Sequence, residues 1–402
     1  MTLDIEAFRA HFPALLTGTA YFDGPGGTQA PAVVGAAIAD AITGPLSNRG
    51  LGMGSERNAE SAVSAFREAM ADLLGAHPRG VVYGRSATQL TYDFSRHLAK
   101  TWQPGDEIVV SRLDHDSNIR PWLQAADAVG ATVRWIDFDP ETTEIDEASV
   151  AAAITERTKL VAITAASNLL GTKPPVRRFA DAAHAVGALV YVDGVHYTAH
   201  AVVDVKALGA DFFACSPYKF LGPHCGVLVA DPELLESLQP DKLLPSTNAV
   251  PERFEFGTLP YEIMAGATAA VDFLAAVAPG ARTSRRARLL ASAHAVDEHE
   301  HALRSRIEAG LADLGDAVTL HSRAQERTPT LLVTFPGRSS ANAYRFLAER
   351  NILAPAGSFY AYEAFRHLNL EDSAALRIGL APYNSDDDVD RLLAALGEFV
   401  AS

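Results

Sequence analysis

The chain has 402 residues, 48% apolar and 21% charged, with a formal net charge of −15. That length can bury a large core, and the composition is that of an ordinary soluble globular protein. The acidic balance argues against nucleic acid or an anionic membrane as partner, and two cysteines, Cys215 and Cys225, give no disulfide framework and point to a reducing, cytoplasmic setting.

In chain order, residues 1–20 read as a short amphipathic helix and a turn without the basic, apolar pattern of a secretory leader. FDGPGGTQAP (22–31) is a glycine-proline loop, and helical patterns run through much of 31–75. From VVY (81–83) the pattern alternates. A helix is expected over 86–102, a strand at EIVVS (107–111), a helix over 118–130 and a strand over 132–138. ASVAAAITERT is helical, KLVAITAAS (159–167) a strand, 176–187 a helix and ALVYVDG (188–194) a strand. A DVKALG turn leads to strands at DFFACS (211–216) and CGVLVA (225–230).

Short apolar strands separated by helices predict an α/β fold with a mainly parallel sheet covered on both faces. The alternation thins after about residue 257, where helices at 261–276 and 281–312, a strand at TPTLLVTF and a last helix capped by Ser385 predict a smaller α+β unit. The expected organisation is a large domain over 21–257, a small one over 258–402, and residues 1–20 packed with the small one.

Ligands of open α/β sheets bind beyond the carboxyl ends of the strands. The polar residues expected there are Ser86, Thr88, Asp114, His115, Asn168, Asp193, His196, Ser216, Tyr218 and Lys219. Lys219 is either a solvated amine or one whose depressed pKa suits Schiff-base chemistry. Asp193 ends an apolar strand, where a carboxylate is costly unless paired. With an aldehyde cofactor on Lys219 it could keep a pyridine nitrogen protonated. Ser86, Ala87 and Thr88 precede a helix, where free N–H groups bind phosphate, although a simple N-cap also explains the serine. His115 is a candidate ring plate or acid–base group. No HxH or HExxH spacing supports a metal, and no GxGxxG or GxxxxGK[ST] supports a nucleotide.

VYVDGVH followed by DVKALGADFFACSPYKFLGPHCGVL resembles the aspartate and lysine segments of class V, fold-type I enzymes that use pyridoxal 5′-phosphate. Within that class the chain is similar to cysteine desulfurases and selenocysteine lyases, from YFDGPGGTQAP to LRIGLAPYNSDDDVDRLLAAL. The resemblance implies that Lys219 forms the Schiff base, Asp193 pairs with the pyridine nitrogen and His115 stacks on the ring. It implies that Asn168 and His196 lie near the phenolic oxygen, and that Ala87, Thr88, Ser216 and Tyr218 hold the phosphate. Arg377 would clamp the substrate carboxylate beside Asn168. Thr258 would reach the phosphate from the partner subunit of a homodimer.

The family usually has VDGAQ and SGHK where this chain has VDGVH and SPYK, which puts His196, Pro217 and Tyr218 in altered positions. A third departure bears on the reaction. Desulfurases carry a cysteine in the loop before the arginine strand, and NILAPAGSFYAYEAFRHLNLED has none. Cys215 lies in an apolar strand run and Cys225 opens the next strand, so neither reads as a substitute. The implied chemistry is cysteine desulfurase-like or C–S β-lyase chemistry on an amino acid, with Lys219 as base at Cα. Transamination and epimerisation are alternatives, as is an inactive binding protein on the same scaffold. Tyr360, Tyr362 and Arg366 are candidates for choosing the side chain.

Overall fold

Adjacent residues in the central strands serve two different cores. In the computed structural model, which describes residues 3–278 and 284–402, Val81, Val109, Val161, Val190 and Phe213 pack on one side of a sheet. Their neighbours Val82, Ile108, Leu160, Tyr191 and Phe212 pack on the other. Successive side chains of a strand point to opposite faces, so a continuous apolar run is what a sheet buried on both sides requires.

The strands, in chain order, are β1 (Ala20–Tyr21), β2 (Val81–Gly84), β3 (Glu107–Ser111), β4 (Thr132–Ile136) and β5 (Thr158–Thr164). They continue with β6 (Leu189–Asp193), β7 (Phe212–Cys215), β8 (Gly226–Ala230), β9 (Thr319–Leu320) and β10 (Thr330–Thr334). The last are β11 (Ile352–Leu353), β12 (Ala356–Gly357) and β13 (Ala375–Gly379). Seven form one sheet in the order β2-β8-β7-β6-β5-β3-β4. It is parallel from β7 to β4, and β8 runs against both its neighbours. The expected mainly parallel α/β sheet is therefore present, with one reversed strand.

A four-stranded antiparallel sheet, β12-β13-β10-β9, follows. Helices Arg285–Asp313 and Asp386–Ala401 cover it, with Leu303, Ile307, Leu392 and Leu396 packed against Leu331, Val333, Leu376 and Ile378. Ser385 caps the last helix as expected, its Oγ accepting from the Asp388 N–H while Asp388 accepts from the Ser385 N–H. The N-terminal segment joins this region: β1 pairs in parallel with β11, and Arg9 binds Asp388 at 2.8 Å.

Element boundaries differ locally from expectation. The helix expected over 86–102 spans Ala87–Ala99, and the one expected over 118–130 spans Arg120–Val129 because a 3₁₀ turn occupies Asp116–Asn118. The helical reading of ASVAAAITERT ends at Ala153, where the chain turns to start β5 at Thr158. The helix expected from 281 begins at Arg285, and 281–283 lie outside the described residues.

Candidate active site

Three strand ends converge on one cavity. After β6, Asp193 is followed by Gly194, where a Cβ would fall 1.9 Å from the Phe213 ring, so only glycine lets the chain turn there. After β7, the 3₁₀ turn Pro217–Lys219 brings the lysine back toward that carboxylate. After β2, Ser86 caps the helix Ala87–Ala99 by accepting the Gln89 N–H at 3.1 Å. Gly226 of β8 lies against this turn, and a Cβ there would meet the Ser86 carbonyl carbon at 2.3 Å. The N–H groups of Ala87 and Thr88 precede the first intrahelical bonds and remain free for an anion.

The cavity has a volume of about 900 Å³, and its lining includes Ala87, Thr88, His115, Asn168, Asp193, His196, Ser216, Tyr218, Lys219 and Arg377. Of the residues that the resemblance assigns to the site only Thr258 is absent from this lining, and the strand-end candidate Asp114 is buried outside it. Thr258 lines an adjoining cavity of about 690 Å³ that shares Ser86 and Thr88 with the first. Tyr360 lines the main cavity, whereas Tyr362 and Arg366 do not.

Burial dominates the electrostatics. The Lys219 amine is pushed down to about 7 by burial and by Arg377, against the pull of Asp193 and Asp23. Its Nζ donates to the Pro25 carbonyl and lies 4.9 Å from the Tyr218 ring centre. Burial raises Asp193 to about 6, opposed by the Val195 N–H that its Oδ1 accepts at 2.9 Å and by Lys219. His115 is lowered to about 4, again mainly by burial, so it is neutral. Its Nδ1 accepts the Ser117 N–H at 3.1 Å, which places the ring proton on Nε2.

Arg377 comes from β13. Burial lowers it to about 9, Asp23 opposing, so the guanidinium stays charged. One of its nitrogens donates to the Asn168 carbonyl at 3.0 Å, and its Cζ lies 3.8 Å from the centre of the Phe359 ring. Asn168 donates through Nδ2 to the Phe359 carbonyl at 2.9 Å. His196 bonds Thr328 and Thr330 at 2.9 and 3.0 Å. Asn168 Oδ1, His196 Nδ1 and Arg377 Nε are buried polar atoms without a partner in the protein. Such atoms are costly unless a ligand supplies what is missing.

Neither cysteine reaches the cavity. Cys215 and Cys225 are buried in the sheet core, and burial pushes the Cys215 thiol up strongly and the Cys225 thiol to about 12. The segment in the place of the desulfurase thiol loop instead offers Phe359 and Tyr360, both in the left-handed region at φ 55 and 57. Two such non-glycine residues cost about 1–3 kcal/mol each and persist only where their surroundings hold them.

Sequence reasoning missed Asp23, Pro25, Phe359 and Arg120. Asp23 is raised to about 6 by burial, with Arg377 and Lys219 opposing. No local pattern marks it, since the groups that give it meaning lie some 200 and 350 residues further along. The DGPGG loop was itself legible, but not its approach to β13, where Asp23 bridges Gly379.

The aminotransferase class-V family model matches residues 20–392. The chain belongs to this family. An uncharacterized protein of Mycobacterium tuberculosis is 31% identical, over 98% of this chain and 99% of its own. A probable cysteine desulfurase of Vibrio cholerae is also 31% identical, over 100% and 99%. Among solved structures, the cysteine desulfurase CsdA from Escherichia coli has 27% identity and a TM-score of 0.86, over 99% of this chain and 98% of its own. This class-V protein is a pyridoxal phosphate-dependent enzyme of the cysteine desulfurase-like type. The cavity fits that group: a depressed amine, a buried carboxylate, a neutral imidazole, a glycine-backed helix N-terminus and unpartnered buried atoms line one space.

Proposed function

We propose that the protein is a lyase that breaks the Cβ–S bond of an amino acid by β-elimination, without a thiol of its own. The carrying observation is the cavity that holds Lys219 and Arg377 while both cysteines are buried outside it. Forming alanine from cysteine requires a nucleophile to accept the sulfur, and this chain offers none at the site. In elimination the sulfur leaves with the bonding pair, so no acceptor is needed. L-Cysteine and water would then yield sulfide, pyruvate and ammonia.

Bound pyridoxal phosphate supplies the electron sink for charge developing at Cα. Lys219 would hold the cofactor and, as the free neutral amine that its low pKa permits, take the proton from Cα. Arg377 would grip the substrate carboxylate through its planar fork, with Asn168 beside it. Asp193 would face the pyridine nitrogen, and His115 the ring, its Nε2–H free to donate. His196 would donate or accept through its unpartnered Nδ1 at the phenolic oxygen. Ala87, Thr88, Ser216 and Tyr218 would surround the phosphate.

A second copy of the chain would bring its own Thr258 to the phosphate end of the site; within one chain Thr258 lines the adjoining cavity with Ser86 and Thr88. The largely apolar helix Ala32–Thr43, with Val33 and Ile42 exposed, offers surface for such a homodimer.

The test follows sulfide, pyruvate and alanine together in the cofactor-loaded protein given L-cysteine. Sulfide matched by pyruvate supports elimination. Sulfide matched by alanine overturns it in favour of desulfuration through an external thiol. Neither sulfide, thiol nor pyruvate from any amino acid with a Cβ–S bond overturns it in favour of transamination or epimerisation.

A further inference from the structure

The loop that carries His115 is bracketed by two arginines that meet on one carboxylate. Arg112 leaves the end of β3, and Arg120 opens the helix Arg120–Val129. Both donate to Glu363 of the short helix Tyr362–Leu368, Arg112 at 3.2 Å and Arg120 through a second oxygen. Glu363 is 5% exposed, so these bonds are shielded from water. Between the arginines, the Asp116 N–H donates to the Tyr360 carbonyl at 2.7 Å, and the Tyr360 ring stacks on His115 with centres 5.6 Å apart. The adjoining Phe359 accepts from Asn168 and lies under Arg377. The left-handed backbone at Phe359 and Tyr360 needs this support.

We propose that Glu363 is a positioning residue. It clasps the 358–361 segment to the His115 loop, and so sets the orientation of Asn168, His115 and Arg377 and limits access to the cavity. The proposal rests on the reading above only in taking Lys219 and Arg377 to serve one cavity, and its first test uses no substrate.

The variant is Glu363→Gln. Each arginine keeps another carboxylate, Arg112 with Asp137 at 2.6 Å and Arg120 with Asp116 at 2.8 Å, so no charge is left alone. In the cofactor-loaded protein, bleaching of the visible cofactor band by borohydride and chymotryptic cleavage after Phe359 or Tyr360 should each speed up on the order of tenfold, at unchanged thermal midpoint. With any amino acid that is turned over, KM should rise by about tenfold and kcat change by less than about threefold. Arg120→Gln, which leaves the Arg112 contact, should give an intermediate effect. Arg366→Ala, which removes a guanidinium 3.9 Å from Glu363, should change nothing.

Unchanged bleaching and cleavage in Glu363→Gln would overturn the clasp. So would a lowered thermal midpoint that accounts for all the changes, since that marks an ion pair of fold stability alone; Arg120→Gln then decides whether access changes without unfolding. Faster bleaching and cleavage in a protein that makes neither sulfide, thiol nor pyruvate from amino acids with a Cβ–S bond would uphold the clasp and sink the lyase reading.

Discussion

The strand ends bearing Asp193 and Lys219 and the segment around Phe359 and Tyr360 line the same cavity, yet they are held in place by different means. Asp193 and Lys219 are placed by their own strands: an apolar run enters the sheet, a polar residue stands at its end, and a small or proline residue turns the chain. Phe359 and Tyr360 are placed by partners from elsewhere, namely Asn168, Asp116, His115 and Arg377. The residues that the class-V resemblance assigns to the cofactor stand at strand ends, whereas the segment where that resemblance expects a thiol loop is held by contacts at long range.

The largest test of that contrast is Lys219→Ala. It should abolish the visible cofactor band and lower turnover by more than about a thousandfold, with the fold intact by circular dichroism. Retained band and turnover would remove the lysine from the mechanism. Next in size, Arg377→Ala should raise KM for the amino acid by roughly a hundredfold, the loss expected of a buried charge-assisted hydrogen bond. An equal fall in kcat at unchanged KM would argue against a carboxylate clamp.

The pH profile probes how the two regions couple. With Lys219 acting as the neutral base, the rate should climb as pH rises through about 7. Asp23 favours the protonated amine, so Asp23→Asn should move that midpoint downward. An upward movement or none would contradict the proposed coupling. Asp114, fully buried beside Ser111 and Asn118, is raised by burial from 3.8 to about 8. The folded state thus binds a proton that the unfolded chain has lost. This contribution to stability is full below about pH 4 and is lost as pH rises through about 8. Denaturant titrations of Asp114→Asn should show a flatter decline over that window, and an unaltered slope would count against it. The smallest effect expected is from Tyr360→Ala. Tyr360 is 77% exposed, so substrate preference should change by only a fewfold while the cofactor band stays.

Much of this protein was decided along short stretches of chain. The mainly parallel sheet and the order of strands and helices to residue 230 follow from apolar runs that end in polar residues, and ten of the eleven residues assigned by family resemblance, from the Asp193-to-Lys219 block to LRIGLAPYN, line the main cavity. Those features are local, and local features are written in consecutive letters. What the tertiary structure decided is which distant groups face that block. Asp23 acquires its role by lying near Arg377 and Lys219, and Glu363 by receiving two arginines that bracket His115. Thr258 stands in the adjoining cavity, not the main one. Such pairings depend on how β1, β11 and β13 and their loops pack, through contacts hundreds of residues apart that leave no periodic trace in the chain.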